Sequence, residues 1–234
     1  MQPEGVQNRT TPPTGARKGL MPATRVLLTA FGSFPGAPVN PTMAIAQLVE
    51  RRHGRRLARL GLGLQTAVLP VVYEDAEGRI ASLIAQLAPD VVLHLGLAAR
   101  RKRLCLEARA RNRLSVLHPD AERRRAGRLL IEPGGPLSRA SRAPVARCVA
   151  GVTRAGAACA RSIDAGDYLC NQTLYASLRS NAPMVAFLHV PKPRRMRAPR
   201  KSVRPSITIA QMADGAVAAI LAMASEVMRA QRTV

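Results

Sequence analysis

The sequence predicts an α/β fold, a three-layer α/β/α sandwich around a twisted, largely parallel mixed sheet. Two observations carry this prediction. Short apolar segments typical of buried strands alternate with segments whose apolar residues recur every three or four positions, as on one face of a helix. Strands that alternate with helices favour a parallel sheet covered by helices. The chain has 234 residues and shows no internal repeat or second boundary, so we expect one domain over residues 24–234.

The predicted strands are short runs of mostly apolar residues. They cover residues 25–29, 65–72, 91–96, 157–160 and 184–191. A further segment alternates in character, so that one face of a strand would carry Cys105, Glu107, Arg109 and Arg111. Residues 113–138 are polar, rich in Arg and interrupted by Pro and Gly, which predicts a loop.

The helices are predicted from apolar spacing and from capping residues. Asn40 followed by Pro41 is an N-cap with proline at the first helical position, and it starts the first helix. Thr208 and Gln211 form a capping-box pattern at the start of the last helix. The other helices are predicted over residues 75–87, over 144–155 and from 170 onward.

The net charge of +22 raises the question of an anionic partner. The arginines are scattered over almost every segment, and only 3% of the residues are aromatic, so few side chains could stack on bases. We therefore expect no specific nucleic-acid partner. Charge of this kind gives mainly nonspecific attraction.

Cysteine usage and hydropathy indicate a reduced compartment. The four cysteines form no C-x-x-C pair and have no histidine at metal-site spacing, so we expect no structural metal. No apolar run reaches membrane-spanning length, so we expect no membrane partner and a cytoplasmic location. Residues 1–23 are rich in Pro, Thr and Gly and are predicted to be a disordered leader, with Met21 as an alternative start.

Cys170 is the candidate nucleophile. It follows a predicted strand and a turn at Ala165-Gly166, and Leu174 and Leu178 then recur at helical spacing. The unpaired N–H groups and the positive dipole end of a helix's first turn favour a thiolate and can stabilise an oxyanion. Most free cysteines are instead buried small apolar residues. This segment alone leaves both interpretations open.

Other titratable residues fall near the predicted strand ends. His94 lies within a central strand and reads as a core histidine, whereas His189 lies near the end of its strand. Glu107 has many arginines around it and would be held ionised, either in a site or in a surface ion pair. Because sites in parallel sheets gather at the carboxyl ends of strands, a common site for Glu107, Cys170 and His189 is geometrically reasonable.

Five separated stretches, in order, resemble the pyroglutamyl peptidase type I family, the pyrrolidone-carboxylate peptidases. They are Phe31 to Phe34 with Asn40-Pro41-Thr42, Leu69-Pro70-Val71, Gly96-Leu97 with Glu107 and Asn112, Ser162 to Asn171, and Phe187 to Pro191. Each stretch alone is weak, but all five together are strong, and the resemblance extends from Arg25 to about Met228.

The resemblance implies a cysteine exopeptidase that removes an N-terminal pyroglutamyl residue from peptides. Cys170 would attack the carbonyl and form a thioester, His189 would move the proton, and Glu107 would orient the imidazole. Phe31 and Phe34 would flank the lactam ring, and Asn40 and Arg101 are further candidate substrate-binding residues. The family implies no cofactor and no metal, and relatives of this kind often form homotetramers.

The chain also departs from the family pattern. Ala108 stands where Arg commonly follows the triad Glu, Arg100 replaces a Gly, and Asp167 adds a carboxylate three residues before Cys170 that would raise the thiol pKa. Two alternatives therefore stay open: a diverged homologue that acts on another small cyclic amide, and a basic binding protein with a vestigial triad. The basic run from Arg100 to Arg103 also predicts a preference for peptides with acidic residues beyond the scissile bond.

Overall fold

A computed structural model describes residues 24–34, 37–193 and 207–233. Its strands are β1 Thr24–Phe31, β2 Leu62–Leu69, β3 Val91–Leu97, β4 Leu104–Glu107, β5 Arg109–Arg111, β6 Ser138–Ala140, β7 Cys159–Ser162 and β8 Met184–Val190. Its helices are α1 Pro41–Arg59, α2 Tyr73–Leu87, α3 Val145–Arg154, α4 Leu169–Arg179 and α5 Ile209–Arg232. The predicted leader over residues 1–23, the alternative start at Met21 and most of the basic loop before α5 lie outside the described residues.

Six strands form one mixed sheet in the order β2-β1-β3-β8-β4-β7. The pairs β1–β2, β1–β3 and β3–β8 are parallel. β4 pairs with β8 in the antiparallel sense and with β7 in the parallel sense, so the last two strands run against the other four. The expectation of a largely parallel mixed sheet is confirmed.

Helices cover both faces of this sheet. On one face, α1, α3 and α5 pack together over a core that includes Val26, Leu93 and Leu188. On the other face, α2 packs against α4 over a core that includes Leu27 and Phe187. These strand residues point to alternate faces because side chains in a strand alternate. The three-layer arrangement predicted from the sequence is confirmed.

Capping residues fix where two of the helices begin. The side chain of Asn40 accepts a hydrogen bond from the backbone N–H of Thr42, with Pro41 in the first turn. Thr208 and Gln211 form a reciprocal capping box at the start of α5. Each pair satisfies backbone donors that a helix leaves free at its first turn. Both predicted starts are confirmed.

The alternating segment around Glu107 differs from its prediction. It breaks at Ala108 into β4, which joins the main sheet, and β5, which pairs with β6 in a separate two-stranded sheet. The sequence did not predict β6, because its three residues carry no apolar pattern. β2 begins three residues before its predicted start, and β7 begins two residues after its own. Short strands are held by their partners more than by their composition.

Helix α5 also differs from an expectation. By length and composition it is apolar enough to span a membrane, although no such stretch was anticipated. Ten of its residues are buried inside the protein, and it packs against α1 and α3. His53 of α1 pairs with Asp214 of α5 at 2.9 Å. The apolar side chains of α5 therefore pack in the protein core.

Candidate active site

Cys170 lies in the first turn of α4, as the sequence predicted, and is the second residue of this helix. The turn before the helix uses Gly166 at φ 81°, a left-handed conformation that glycine adopts without strain. Asn171 anchors the helix start, because its side-chain amide donates to the carbonyls of Arg111 and Arg113. Cys170 is partly buried, so part of its surface stays exposed. Its sulfur is thereby held at the positive end of a helix dipole.

His189 and Glu107 lie on the same face of the sheet and are joined by a hydrogen bond. Nδ1 of His189 donates to Oε1 of Glu107 at 2.8 Å. Cys105, two residues before Glu107, is the antiparallel partner of His189, so the bonded pair is diagonal across two strands. The side chains are 6% and 0% exposed, so the hydrogen bond is shielded from water.

Gly96 lies beside both His189 and Cys170. It is the parallel register partner of His189. A Cβ on Gly96 would lie 2.9 Å from Sγ of Cys170 and 2.5 Å from ring atoms of Phe187. The Phe187 ring in turn lies 4.7 Å from the His189 ring, centroid to centroid. Sγ of Cys170 therefore lies over Gly96, and Gly96 belongs to β3, which is hydrogen-bonded to the His189 strand β8.

The residues meet for a different reason from the one the sequence suggested. Because β4 and β7 run against β8, their carboxyl ends are not at the edge where β8 ends. Glu107 reaches His189 across the antiparallel pair instead. The parallel strands do follow the rule, since Phe31, Leu97 and His189 lie at or near the carboxyl ends of β1, β3 and β8.

The charges around Glu107 keep it ionised. Burial acts to raise the pKa of its carboxyl, but His189, Ser162 and Arg101 together outweigh burial and hold the pKa below its usual value. Its other oxygen, Oε2, is buried and has no hydrogen-bond partner among the described residues. The orientation of the carboxylate therefore depends on the groups that bind Oε1.

The surroundings of the Cys170 thiol favour its neutral form. Burial, followed by the Glu107 carboxylate, raises its pKa to about 12, although its own backbone N–H and Arg101 act the other way. The sequence attributed such a rise to Asp167, which is not among these causes. A neutral thiol needs a base to become a nucleophile, and the His189 imidazole, on the strand that pairs with Gly96, is of the right type.

A small, mainly apolar cleft opens beside Cys170. It holds about 280 Å³ of free space, its open mouth included, and is lined by Phe31, Phe34, Asn40, Val71, Leu97, Tyr168, Leu169 and Cys170. Phe31 is buried and Phe34 is partly exposed, and the ring of Phe34 lies 6.0 Å from that of Tyr168. The side chain of Asn40 is held by the carbonyl of Gly32. Three of the predicted substrate residues thus share one cleft with the thiol.

Arg101, the fourth predicted substrate residue, points elsewhere. Its Nη1 donates to Oε1 of Glu107 at 2.7 Å, and its Nη2 donates to the carbonyl of Asp164 at 2.7 Å and to Oγ of Ser162 at 3.2 Å. The guanidinium is therefore committed to the carboxylate and to the loop that follows β7.

Two other features lie outside this cleft. A groove between the C-terminal ends of α2 and α4 is larger, with about 1280 Å³ of free space, its open mouth included, but its lining includes neither Cys170 nor His189. His94 is fully buried, accepts or donates hydrogen bonds with Thr29 and Ser177, and has a pKa lowered by burial to about 3. It is a core histidine, as predicted.

No group of three or more His, Cys, Asp or Glu that could hold a metal occurs within residues 24–34, 37–193 and 207–233.

Comparison with known families decides what this arrangement is. The sequence model of the family described as pyroglutamyl peptidase matches residues 24–226. The chain belongs to the pyroglutamyl peptidase family. It is therefore a cysteine peptidase, a hydrolase, as the sequence resemblance implied.

Individual relatives agree with the family assignment. The peptidase is 32% identical to the pyrrolidone-carboxylate peptidase of Pseudomonas fluorescens over 201 residues, 84% of this chain and 91% of that protein. It is 31% identical to the pyrrolidone-carboxylate peptidase of Pyrococcus furiosus over 177 residues, 71% of this chain and 80% of that protein. A solved structure of a mutant pyrrolidone carboxyl peptidase from P. furiosus superposes with a TM-score of 0.76 at 27% identity, covering 86% of this chain and 99% of that one.

Several residues that shape the site of this peptidase were not singled out from the sequence. Gly96 was read as part of a motif, but its role as the contact surface of Cys170 depends on the register of β3 and β8. Tyr168 lines the cleft, and the amide of Gln172 donates to the carbonyl of Tyr73. Their positions two residues on either side of Cys170 were the available signal.

Proposed function

We propose that the peptidase hydrolyses the bond after an N-terminal pyroglutamyl residue through a triad of Cys170, His189 and Glu107. The observation that carries this proposal is the hydrogen-bonded His189–Glu107 pair beside Gly96, over which Sγ of Cys170 lies. The relatives named as pyrrolidone-carboxylate peptidases support the same reaction.

The first half of the reaction forms an acyl-enzyme. A carboxylate can only accept, so Nδ1 of His189 carries the proton shared with Glu107 and Nε2 is free to act as a base. Nε2 takes the proton from the Cys170 thiol, and the sulfur attacks the pyroglutamyl carbonyl carbon. N–H groups in the first turn of α4 stabilise the oxyanion. The tetrahedral intermediate then collapses, the C–N bond breaks, and the imidazolium donates its proton to the departing amine.

The second half of the reaction releases pyroglutamate. His189 removes a proton from a water molecule, and the resulting hydroxide attacks the thioester carbonyl. The C–S bond breaks, and the proton returns from the imidazolium to the sulfur. Water is the co-substrate of this half-reaction, and the catalytic groups all come from this chain.

The cleft accounts for the choice of substrate. Phe31 and Phe34 supply apolar surface for the uncharged lactam ring, and Asn40 brings a polar group to the same space. A free α-ammonium placed against this lining would lose its hydration without gaining a counter-charge, which is costly. A blocked, neutral N-terminus therefore fits where an ordinary N-terminus does not.

A fluorogenic pyroglutamyl amide tests this proposal. The wild-type chain should release the fluorophore, and Cys170→Ala should abolish release, whereas Cys159→Ala, which removes a partly buried cysteine outside the cleft, should keep most of the activity. Turnover of a different small cyclic amide alone would favour the diverged-homologue alternative. No turnover of either substrate, with Cys170 intact by mass spectrometry, would favour a vestigial triad.

We also propose a location, a domain organisation and an oligomeric state for the peptidase. All four cysteines are free, which supports a reducing, cytoplasmic location. A single domain from residue 24 onward agrees with the extent of the family match. A homotetramer is expected from the resemblance alone, and light scattering coupled to size-exclusion chromatography would test it.

A further inference from the structure

Arg101 connects two parts of the site that are far apart in sequence. One guanidinium nitrogen binds Oε1 of Glu107, and the other binds the carbonyl of Asp164 and the hydroxyl of Ser162. The segment from Ser162 to Asp164 leads directly into the turn before α4, whose second residue is Cys170. The Arg101 side chain is 27% exposed and its partner Glu107 is fully buried.

Oε1 of Glu107 receives two donors at once. Nη1 of Arg101 lies 2.7 Å from it and Nδ1 of His189 lies 2.8 Å from it, while Oε2 has no partner among the described residues. The carboxylate can therefore rotate away from His189 only by breaking its bond to Arg101 as well. The same guanidinium also binds the Ser162–Asp164 loop, which leads into α4 and Cys170.

We propose that Arg101 is a positioning residue, which holds the Glu107 carboxylate against His189 and the Ser162–Asp164 loop against the sheet. This proposal rests on the triad of the proposed function. It replaces the role of substrate contact that the sequence suggested for Arg101, since all the described contacts of its guanidinium are with this chain's own carboxylate and loop.

A consequence for proton transfer follows from the charges that surround Glu107. The groups that face it are His189 on β8, Cys105 on its own strand, Ser162 on β7, Cys170 on α4 and Arg101. Arg101 supplies the only fixed positive charge of this set. A cation shared with the carboxylate weakens the stabilisation that Glu107 gives to an imidazolium, and it also favours a thiolate at Cys170.

The test compares Arg101→Gln, Arg101→Lys and a matched control, Arg109→Gln. Arg109 donates to the carbonyl of Ile163 in the same loop but does not bind Glu107. We expect Arg101→Gln to lower kcat about tenfold, to change KM less than about twofold, and to move the acid limb of kcat/KM upward by about 0.5 to 1 pH unit. Arg101→Lys should restore most of the pH shift but not the full kcat, because an ammonium cannot span both partners. Arg109→Gln should leave the acid limb in place.

A second readout keeps this proposal separate from the identity of the substrate. The rate of Cys170 alkylation by iodoacetamide at pH 8, followed by mass spectrometry, should be about threefold to tenfold lower in Arg101→Gln than in wild type, because the thiolate loses a nearby positive charge. An unchanged alkylation rate together with an unchanged acid limb, with native circular dichroism, would overturn the positioning role. If alkylation slows while no pyroglutamyl substrate is hydrolysed, the positioning role stands and the proposed substrate is wrong.

A second and independent observation concerns the outer face of α1. Although the sequence suggested that the arginines are scattered, five exposed ones gather on this helix: Arg51, Arg52, Arg55, Arg56 and Arg59. We call these residues the α1 arginine face. At 100° per residue they cover an arc of about 140°. The opposite side of the helix is buried, with Ala46 and Leu57 in the core.

This face has no internal compensation among the described residues. None of the ion pairs found within residues 24–34, 37–193 and 207–233 includes any of the five arginines. The nearest acidic residue in sequence, Glu50, accepts a hydrogen bond from Thr66 on β2. Like charges four residues apart repel one another along a helix, and the negative end of the helix dipole offsets this only in the last turn. The arrangement does not serve the stability of α1.

We infer that the α1 arginine face binds the phosphate backbone of duplex nucleic acid without sequence preference. Guanidinium groups match phosphate oxygens in pairs, and a rigid row of them suits a regularly charged duplex. Sequence readout is not expected, since the face carries no aromatic or amide side chain. An anionic membrane fits less well, because insertion into lipid needs an exposed apolar face and that of α1 is buried.

Fluorescence anisotropy with a 20-base-pair duplex of arbitrary sequence tests this inference. Replacing the five arginines of the face by Gln should reduce the slope of log Kd against log salt by about 2 to 4.5. The matched control replaces five exposed arginines that also form no ion pair, Arg113, Arg123, Arg125, Arg154 and Arg161, and should change the slope by less than about 1. Equal losses in the two variants would mean that only net charge matters and would overturn the inference. Binding to phosphatidylserine vesicles but not to duplex would overturn it in favour of a membrane surface.

Discussion

Nδ1 of His189 lies 2.8 Å from Oε1 of Glu107, and the two residues belong to neighbouring strands that run in opposite directions. The antiparallel pairing of β4 with β8, within a mainly parallel sheet, brings the carboxylate at the end of β4 to the histidine near the end of β8. The imidazole is thereby fixed in the tautomer that leaves Nε2 free. In the proposed mechanism Glu107 is therefore an orienting group whose charge matters as much as its shape.

Glu107→Gln keeps the size of the side chain and removes its charge. We expect kcat on a pyroglutamyl amide to fall by about 10²- to 10⁴-fold, because an amide can bind His189 in the wrong tautomer and cannot stabilise an imidazolium. Steady-state kinetics measures this. Glu77→Gln, which changes a carboxylate paired with Arg128 and Arg179 outside the cleft, is the control and should keep near wild-type kcat. Comparable losses in both variants would contradict the role given to Glu107.

Glu107 should also make stability depend on pH in the acid range. Its folded pKa is depressed, so its contribution is complete above the unfolded value of about 4.3 and is lost as pH falls through the folded value. Urea unfolding of wild type and Glu107→Gln should therefore show a gap at pH 7 that narrows below about pH 4. A gap that is constant from pH 7 to pH 3 would show that the carboxylate charge does not stabilise the fold.

Gly96→Ala should damage the site with little effect on the remainder of the fold. The added methyl would meet Phe187 at 2.5 Å and Sγ of Cys170 at 2.9 Å, so at least one of them must move. We expect a loss of activity of at least about tenfold and a destabilisation of about 1 to 3 kcal/mol. Gly78→Ala on α2, where a Cβ meets nothing within 4 Å, is the control and should raise stability by up to about 1 kcal/mol. Full activity in Gly96→Ala would mean that the thiol does not depend on this contact.

His94 should make the folded protein sensitive to mild acid. Burial lowers its folded pKa to about 3, while the unfolded value is about 6.5, so the unfolded chain binds the extra proton first as pH falls. Between pH 7 and pH 5 wild type should lose about 2 kcal/mol more than His94→Gln in urea unfolding. His118→Gln, an exposed position, should behave as wild type does. If His94→Gln loses as much stability as wild type over this range, the buried imidazole is not the cause.

The basic segment between β3 and β4 should influence which peptides are cleaved fastest. Arg101 is occupied by Glu107, so Arg100, Lys102 and Arg103, all exposed, carry the free charge. We expect peptides with Asp or Glu beyond the scissile bond to be cleaved faster than matched Lys peptides at low salt, and the ratio to approach one at high salt. Replacing the three cations by Gln should remove the preference. Equal rates on both peptides at low salt would contradict the expectation.

Much of the fold was predictable because it depends on local patterns. Apolar runs predicted the four parallel strands, and the capping residues Asn40 and Thr208 located two helix starts. Short elements were less predictable: β6 has three residues, and β7 starts later than its apolar run suggested. In such strands the hydrogen-bonding partner decides the conformation, and a partner distant in sequence leaves no local signal.

By itself the sequence determined the identity of Cys170, His189 and Glu107 as candidates and placed the thiol at a helix start, since nucleophile type, helical spacing and family resemblance are all properties of the chain. Only the tertiary structure decided that Glu107 meets His189 across an antiparallel pair, that Gly96 seats the sulfur, and that Arg101 is held by the carboxylate instead of facing the cleft. The physical reason is that strand direction and register are set by packing over the whole sheet, and a shift of one residue in a strand would turn the Glu107 or the His189 side chain to the opposite face.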